Sequence, residues 1–160
     1  MLKRIYLKIF FQLFPAYRLR KSGAKVGKNI FFGEDVYVEL ENARLLSIGD
    51  GVVLSAFSKI ILHDSSLNNV DNFGVLFGKV IIGKKVYIGS GSIILPGTKI
   101  GENTIVGAGS VVKGELKKNS VYAGNPARYL ESVAQLKSKW GKRRNNLIVF
   151  KKMPKWYEKP

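Results

Sequence analysis

Residues 82–117 read IGKKVY, IGSGSI, ILPGTK, IGENTI, VGAGSV and VKGELK, six hexads in one register. A branched apolar residue opens each of them, at Ile82, Ile88, Ile94, Ile100, Val106 and Val112, and glycine follows at 83, 89, 101 and 107. A period of six fits neither an amphipathic helix, at about 3.6 residues, nor a long alternating strand, at about two. Each hexad must therefore be a short strand followed by a corner. Three such sides close a triangular coil. The branched residue points inward and stacks on its equivalent in the coils above and below, while the small residue after it lets the chain turn without crowding. One coil buries nothing alone; stacking makes the core.

Working outward, VGKNIF and FGEDVY begin at Val26 and Phe32, and IGDGVV and LSAFSK begin at Ile48 and Leu54. The phase slips twice, between Val38 and Ile48 and between Ile60 and Ile82, and these slips predict loops that leave the coil. The expected class is all-β, a parallel β-helix over residues 23–124.

The two ends break the pattern. Leu2, Ile5, Tyr6, Ile9, Phe10 and Leu13 recur at helical spacing among Lys3, Arg4, Lys8 and Gln12, which predicts an amphipathic basic helix within residues 1–22, with Pro15 as its stop. Lys8 and Gln12 interrupt the apolar run too early for a membrane span or a signal-peptide core. A cap on the open end of the solenoid and an interfacial membrane helix both suit such a segment. After the repeats, AGNPARYLESVAQLKSKW reads as a helix with Asn125 as its cap and Pro126 in its first turn. A basic, aromatic tail completes the third segment, residues 125–160, with Trp140, Trp156 and Tyr157 suited to a membrane interface.

The chain has 160 residues, enough for one domain with a real core and short for a second catalytic domain. It has no cysteine, which excludes disulfides, thiolate metal sites and an acyl-cysteine intermediate together. Its net charge of +16 sits at the ends: residues 1–28 carry eight bases and no acid, and residues 137–160 carry nine bases against Glu158. The body between them, with ten bases and ten acids, is neutral. This distribution points to an anionic surface held by the ends, a membrane or a glycan, rather than to a groove tracking phosphates, and nucleic acid is not an expected partner.

With the hexads and GAGSVVKGELKKNSVYAGNPAR in view, the chain resembles the hexapeptide-repeat acyltransferases, particularly the sugar and polysaccharide O-acetyltransferases. The likeness covers roughly residues 23–130. It implies a left-handed coil, a homotrimer, acetyl-coenzyme A held between subunits, and a histidine acting as general base on the acceptor. Carried over residue by residue, that histidine falls on His63 in IILHDSS, the only one in the chain. The cofactor contacts match Ser90 in YIGSGS and Ala108 in VGAGSV, three hexads apart and hence one coil above the other. The basic residue after the GNPA turn matches Arg128, whose guanidinium would meet the coenzyme's phosphates. Where many relatives carry Thr-Lys after GAGSVV this chain has Lys113 and Gly114, so Lys113 keeps a positive charge near that corner.

Chemically, a hydroxyl attacks a thioester efficiently at neutral pH only if a base removes its proton as the bond forms, and imidazole suits that task. Asp64 or Glu39 would orient the His63 ring, and an N–H of the Gly89–Gly91 turn would receive the developing oxyanion. Transfer would be direct, since no activated nucleophile is visible. A zinc site of three histidines is excluded by the histidine count, and no metal is expected. The acceptor would be a sugar or a cell-surface polysaccharide or its precursor; an amino sugar, an antibiotic or serine are the alternatives within the class. Outside the class, a non-catalytic scaffold or a nucleic-acid-binding protein is the alternative. A cytoplasmic location, peripheral to the inner face of the membrane, fits this reading.

Overall fold

The computed structural model describes residues 15–142. The amphipathic segment read over residues 2–13 and the tail beyond residue 142 lie outside the described residues. Three strands make each coil. The first has β1 (Lys25–Val26), β2 (Phe31–Phe32) and β3 (Tyr37–Val38); the second has β4 (Leu46–Ile48), β5 (Val53–Leu54) and β6 (Lys59–Ile60). A loop carrying β7 (His63–Asp64), helix α2 (Ser66–Asp71) and β8 (Leu76–Phe77) then leaves the coil. The third coil has β9 (Val80–Ile82), β10 (Tyr87–Ile88) and β11 (Ile93–Ile94), and the fourth has β12 (Lys99–Ile100), β13 (Ile105–Val106) and β14 (Val111–Val112). β15 (Glu115–Leu116) and β16 (Ser120–Gly124) begin a fifth, and β17 (Ala127–Ser132) folds back on β16 before the terminal helix α3 (Val133–Lys142). The first described helix, α1, spans Pro15–Lys21.

The strands stack in parallel into three faces, five-stranded (β1-β4-β9-β12-β15), six-stranded (β2-β5-β10-β13-β16 with β17 antiparallel at its edge) and four-stranded (β3-β6-β11-β14). The fold is a left-handed parallel β-helix. Register alignment places the hexad openers on one another: Ile48, Ile82, Ile100 and Leu116 form one inner column, and Leu54, Ile88, Val106 and Tyr122 a second. Ile60, Ile94 and Val112 form the third. Nearly all of these side chains are excluded from solvent, and they are the core.

Stacking at strand separation, about 4.8 Å, explains the glycine after the openers at 83, 89, 101 and 107. A Cβ at Gly89 would lie 2.4 Å from the Ala108 nitrogen, and one at Gly83 2.6 Å from that of Glu102. Buried hydroxyls then satisfy the corner carbonyls: Ser92 and Ser110 both donate to Gly107 O, at 3.0 and 2.6 Å, and Thr104 donates to Lys117 O at 2.9 Å.

One local reading needs correction. Residues 123–132 are a hairpin, with Ala123 opposite Arg128 and Gly124 opposite Ala127, and the helix begins only at Val133. Asn125 and Pro126 make the turn, where Gly124 takes φ +104 and the Asn125–Pro126 bond is cis, so they do not cap a helix. Pro15 opens the described part of helix α1, and the helix it was expected to stop lies outside the described residues.

Candidate active site

The first corner of interest joins the four-stranded face to the five-stranded one. Glu39 N–H donates to Ile60 O at 3.2 Å, Ile61 N–H to Ile94 O at 2.9 Å, and Leu95 N–H to Val112 O at 2.9 Å, so Glu39, Ile61, Leu95 and Lys113 stack in one column. The long loop leaves the solenoid here, at the second coil. His63 stands two residues into it, above the Glu39 of the coil beneath.

Glu39 is 4% exposed, which for a carboxylate demands partners. It has three. Asn42 Nδ2 donates to Oε1, Leu62 N–H donates to Oε2 at 2.9 Å, and His63 Nδ1 lies 2.8 Å from Oε2. Burial pushes the Glu39 pKa up, but the hydrogen bonds from Asn42 and Leu62 together with the His63 ring beside it outweigh it, and the net shift is downward. Glu39 is therefore a buried anion facing the imidazole. The Nδ1 to Oε2 separation is that of an ion pair, although the ring N–H is not aimed straight along it. Nδ1 is buried while the side chain as a whole is 40% exposed, so its solvent access lies on the remainder of the ring. A carboxylate on Nδ1 selects the tautomer whose basic nitrogen is Nε2.

β7 pairs with β8 so that His63 lies opposite Phe77, and the two rings sit 5.9 Å apart at 30°. Phe77 itself is exposed. Asp64 is held elsewhere: its Oδ1 accepts from Ser66 N–H at 2.9 Å, and this bond keeps its carboxyl below the usual range. The structure thus brings Glu39 to His63 and leaves Asp64 closing the start of its own loop. Asn42, Leu62 N–H and Phe77 escaped the sequence reading. Asn42 carried a signal, since it lies three residues after Glu39 in the first slip of phase.

The second corner joins the six-stranded face to the four-stranded one. Gly91 N–H donates to Ala56 O at 2.9 Å and Gly109 N–H to Ser90 O at 2.8 Å, so Ala56, Ser90 and Ala108 form a column. Val106 opposite Tyr122 carries this column up to Gly124, whose N–H donates to Ser110 Oγ at 3.2 Å. Arg128, exposed and opposite Ala123, stands at its upper end. Of the three N–H groups in the Gly89–Gly91 turn, those of Gly89 and Gly91 are taken by Val106 O and Ala56 O. Lys113 is exposed on the His63 corner, not beside Ser90 and Ala108. About five residues of chain separate the two corners along β11, roughly 15 Å. An open groove of about 590 Å³ near Arg20, Lys25 and Ile48 lies on another face, and no candidate residue lines it.

Among the described residues no group of three or more His, Cys, Asp or Glu could hold a metal ion, and no helix is long and apolar enough to cross a membrane.

Residues 79–114 match the family model described as bacterial transferase hexapeptide (six repeats). The chain is 34% identical to Protein CapG of Staphylococcus aureus over 146 residues, covering 86% of this chain and 83% of that one. It is 31% identical to the galactoside O-acetyltransferase of Escherichia coli (strain K12), covering 67% and 56%. Among solved structures, it is similar to a hexapeptide-repeat acetyltransferase of Vibrio cholerae complexed with acetyl coenzyme A, at 25% identity and a TM-score of 0.62, covering 69% and 60%. The chain spans just under two thirds of the length of curated relatives such as the YvoF protein of Bacillus subtilis (64%) and the WbbJ protein of Escherichia coli (65%).

Proposed function

The chain belongs to the bacterial transferase hexapeptide family, and from that premise we propose that it transfers an acetyl group from acetyl-coenzyme A to a hydroxyl of a sugar or cell-surface polysaccharide. The observation that carries the chemistry is His63 held on the buried, ionised Glu39. With Nδ1 on the carboxylate, Nε2 accepts the acceptor's hydroxyl proton as its oxygen attacks the thioester carbonyl carbon. The carbon–oxygen bond forms, the carbon–sulfur bond breaks, and the imidazolium returns the proton to the departing thiolate. The oxyanion role falls to Ser90 N–H, the donor of its turn not taken by Val106 O or Ala56 O. Arg128 supplies charge at the upper end for the phosphates. A galactoside O-acetyltransferase among the relatives supports a sugar hydroxyl as acceptor.

The roughly 15 Å between the two corners argues for a site shared by two copies, one giving His63 and the other the Ser90 column. The outer surfaces support the same reading. Phe31, Val53, Tyr87 and Ile105 align along the outside of the six-stranded face. Tyr37, Ile93 and Val111 follow on the four-stranded face, with Lys59 between them. The five-stranded face is polar by comparison, with a Lys99–Glu115 ion pair at 3.0 Å. Two apolar faces flanking the Ser90 corner suit a homotrimer. We place the trimer against an anionic membrane surface at the cell's inner face through its basic ends.

Titration of the intact protein with coenzyme A, light scattering, and a screen of sugar acceptors with labelled acetyl-coenzyme A test this together. Binding, a trimer and labelled sugar ester are expected. A protein that binds no coenzyme A, or a fully active monomer, would overturn it.

A further inference from the structure

Phe57 occupies the turn between β5 and β6 with φ +60, and it is 54% exposed. The same corner of the other coils takes the same conformation, at Asp35 (φ 49), Gly91 (φ 69) and Gly109 (φ 67). The turn demands the left-handed region; the third and fourth coils meet the demand with glycine, which has no Cβ to strain. A bulky aromatic residue in that region is a conformational outlier. Core packing does not explain it, because more than half of the side chain faces solvent. Strain kept on an exposed side chain calls for a role of the side chain itself.

Its place on the corner suggests which role. From Gly124 at the top, the column descends through Ala108 and Ser90 to Ala56, and none of these residues projects far. Phe57 is the first large side chain met on the way down. Two coil spacings, about 10 Å, separate the levels of Gly124 and Ser90, and one more reaches Phe57. With the phosphates at Arg128 and the thioester carbonyl at Ser90 N–H, the carbon chain of the acyl group points toward the Phe57 ring one coil below. One spacing of about 4.8 Å leaves room for a methyl and little more.

We infer that Phe57 gauges the acyl chain: its ring closes the lower end of the Ser90 column and restricts the donor to acetyl-coenzyme A. The inference rests on the acetyl-transfer reading above. It makes Phe57 a specificity-determining residue, retained against its backbone strain.

The test compares full-length wild type with Phe57→Gly and Phe57→Trp. Calorimetry gives the affinities for coenzyme A, acetyl-coenzyme A and butyryl-coenzyme A, thermal unfolding gives stability, and light scattering gives the oligomer. Wild type is expected to bind butyryl-coenzyme A about tenfold or more weakly than acetyl-coenzyme A. Phe57→Gly should bring the two within about threefold while its melting temperature holds or rises. Phe57→Trp should weaken acetyl-coenzyme A but not free coenzyme A. An unchanged butyryl-to-acetyl ratio in a folded Phe57→Gly trimer overturns the inference while leaving acetyl transfer intact. A Phe57→Gly protein that loses its oligomer shows Phe57 to be a subunit contact and overturns it too. If wild type binds neither coenzyme A nor either of its two thioesters, the acetyl-transfer reading fails and this inference falls with it.

Discussion

His63→Ala should fold, because the side chain belongs to no inner column and its ring is partly exposed. Turnover should fall by roughly a hundredfold to ten-thousandfold, the range for losing a positioned base, with coenzyme A affinity close to wild type. Near-normal kcat in that variant would remove the base from His63. Glu39 offers a second check, through pH. Its folded pKa lies below the ordinary value of 4.5, so its contribution to stability is complete above that value and is lost as pH falls through the folded one. Glu39→Gln lacks this contribution at every pH. The melting temperature of wild type should therefore exceed that of Glu39→Gln near pH 7, and the gap should narrow below about pH 4. A gap independent of pH would mean that the carboxylate is not the ionised partner of Asn42, Leu62 and His63. The family resemblance named His63, which is also the lone histidine and stands in a break of phase. The sequence offered Asp64 and Glu39 on equal terms, since only the fold reveals that residue 39 lies under residue 61 across an irregular coil.

The strands were legible because one repeated demand, a branched residue facing the axis, recurs every six positions and survives any change of outer residue. Loops were legible only as slips in that count. The hairpin of β16 and β17 was not, because Gly-Asn-Pro serves a tight turn and a helix start alike, and Ala127 to Glu131 carries no alternation strong enough to decide. What decides is the edge of β16, whose pairing β17 completes. Element stacking makes its own prediction. Gly89→Ala would press a Cβ against the Ala108 nitrogen, 2.4 Å away, where the contact is backbone and cannot swing aside. A loss of about 1–3 kcal/mol is expected, read as several degrees in melting temperature together with weaker coenzyme A binding. An unchanged melting temperature would show that the coils can part locally at the Ser90 corner.

For the whole molecule, charge and chemistry are separate in space. The candidate groups lie in the neutral body, while the excess of bases lies in residues 1–28 and 137–160. Helix α3 brings the chain toward its basic tail with Lys137, Lys139 and Lys142 exposed and Trp140 59% exposed. Removing residues 145–160 should spare turnover of a small soluble acceptor and weaken binding to vesicles containing phosphatidylglycerol, with the wild-type affinity falling steeply as salt is raised. Vesicle binding that survives both the truncation and high salt would rule out an electrostatic attachment by that tail.

Neighbouring coils exchange bonds both ways: Gly27 and Gly49 N–H donate forward to Ile48 and Ile82 O, while Gly51 and Lys85 N–H donate back to Lys28 and Asp50 O. Each end of the rod therefore carries donors and acceptors that a further coil could pair, and identical rods could in principle polymerise head to tail. Both ends are blunted. At the last coil β17 runs antiparallel, the wrong sense to template another coil. At the first, Arg20 lays its guanidinium across the Val26 and Gly27 carbonyls at 3.0 and 2.5 Å. Arg20→Ala should uncover the Val26 and Gly27 carbonyls and promote end-to-end filaments in electron micrographs, whereas dispersed particles at high concentration would show that the β17 end alone forbids growth.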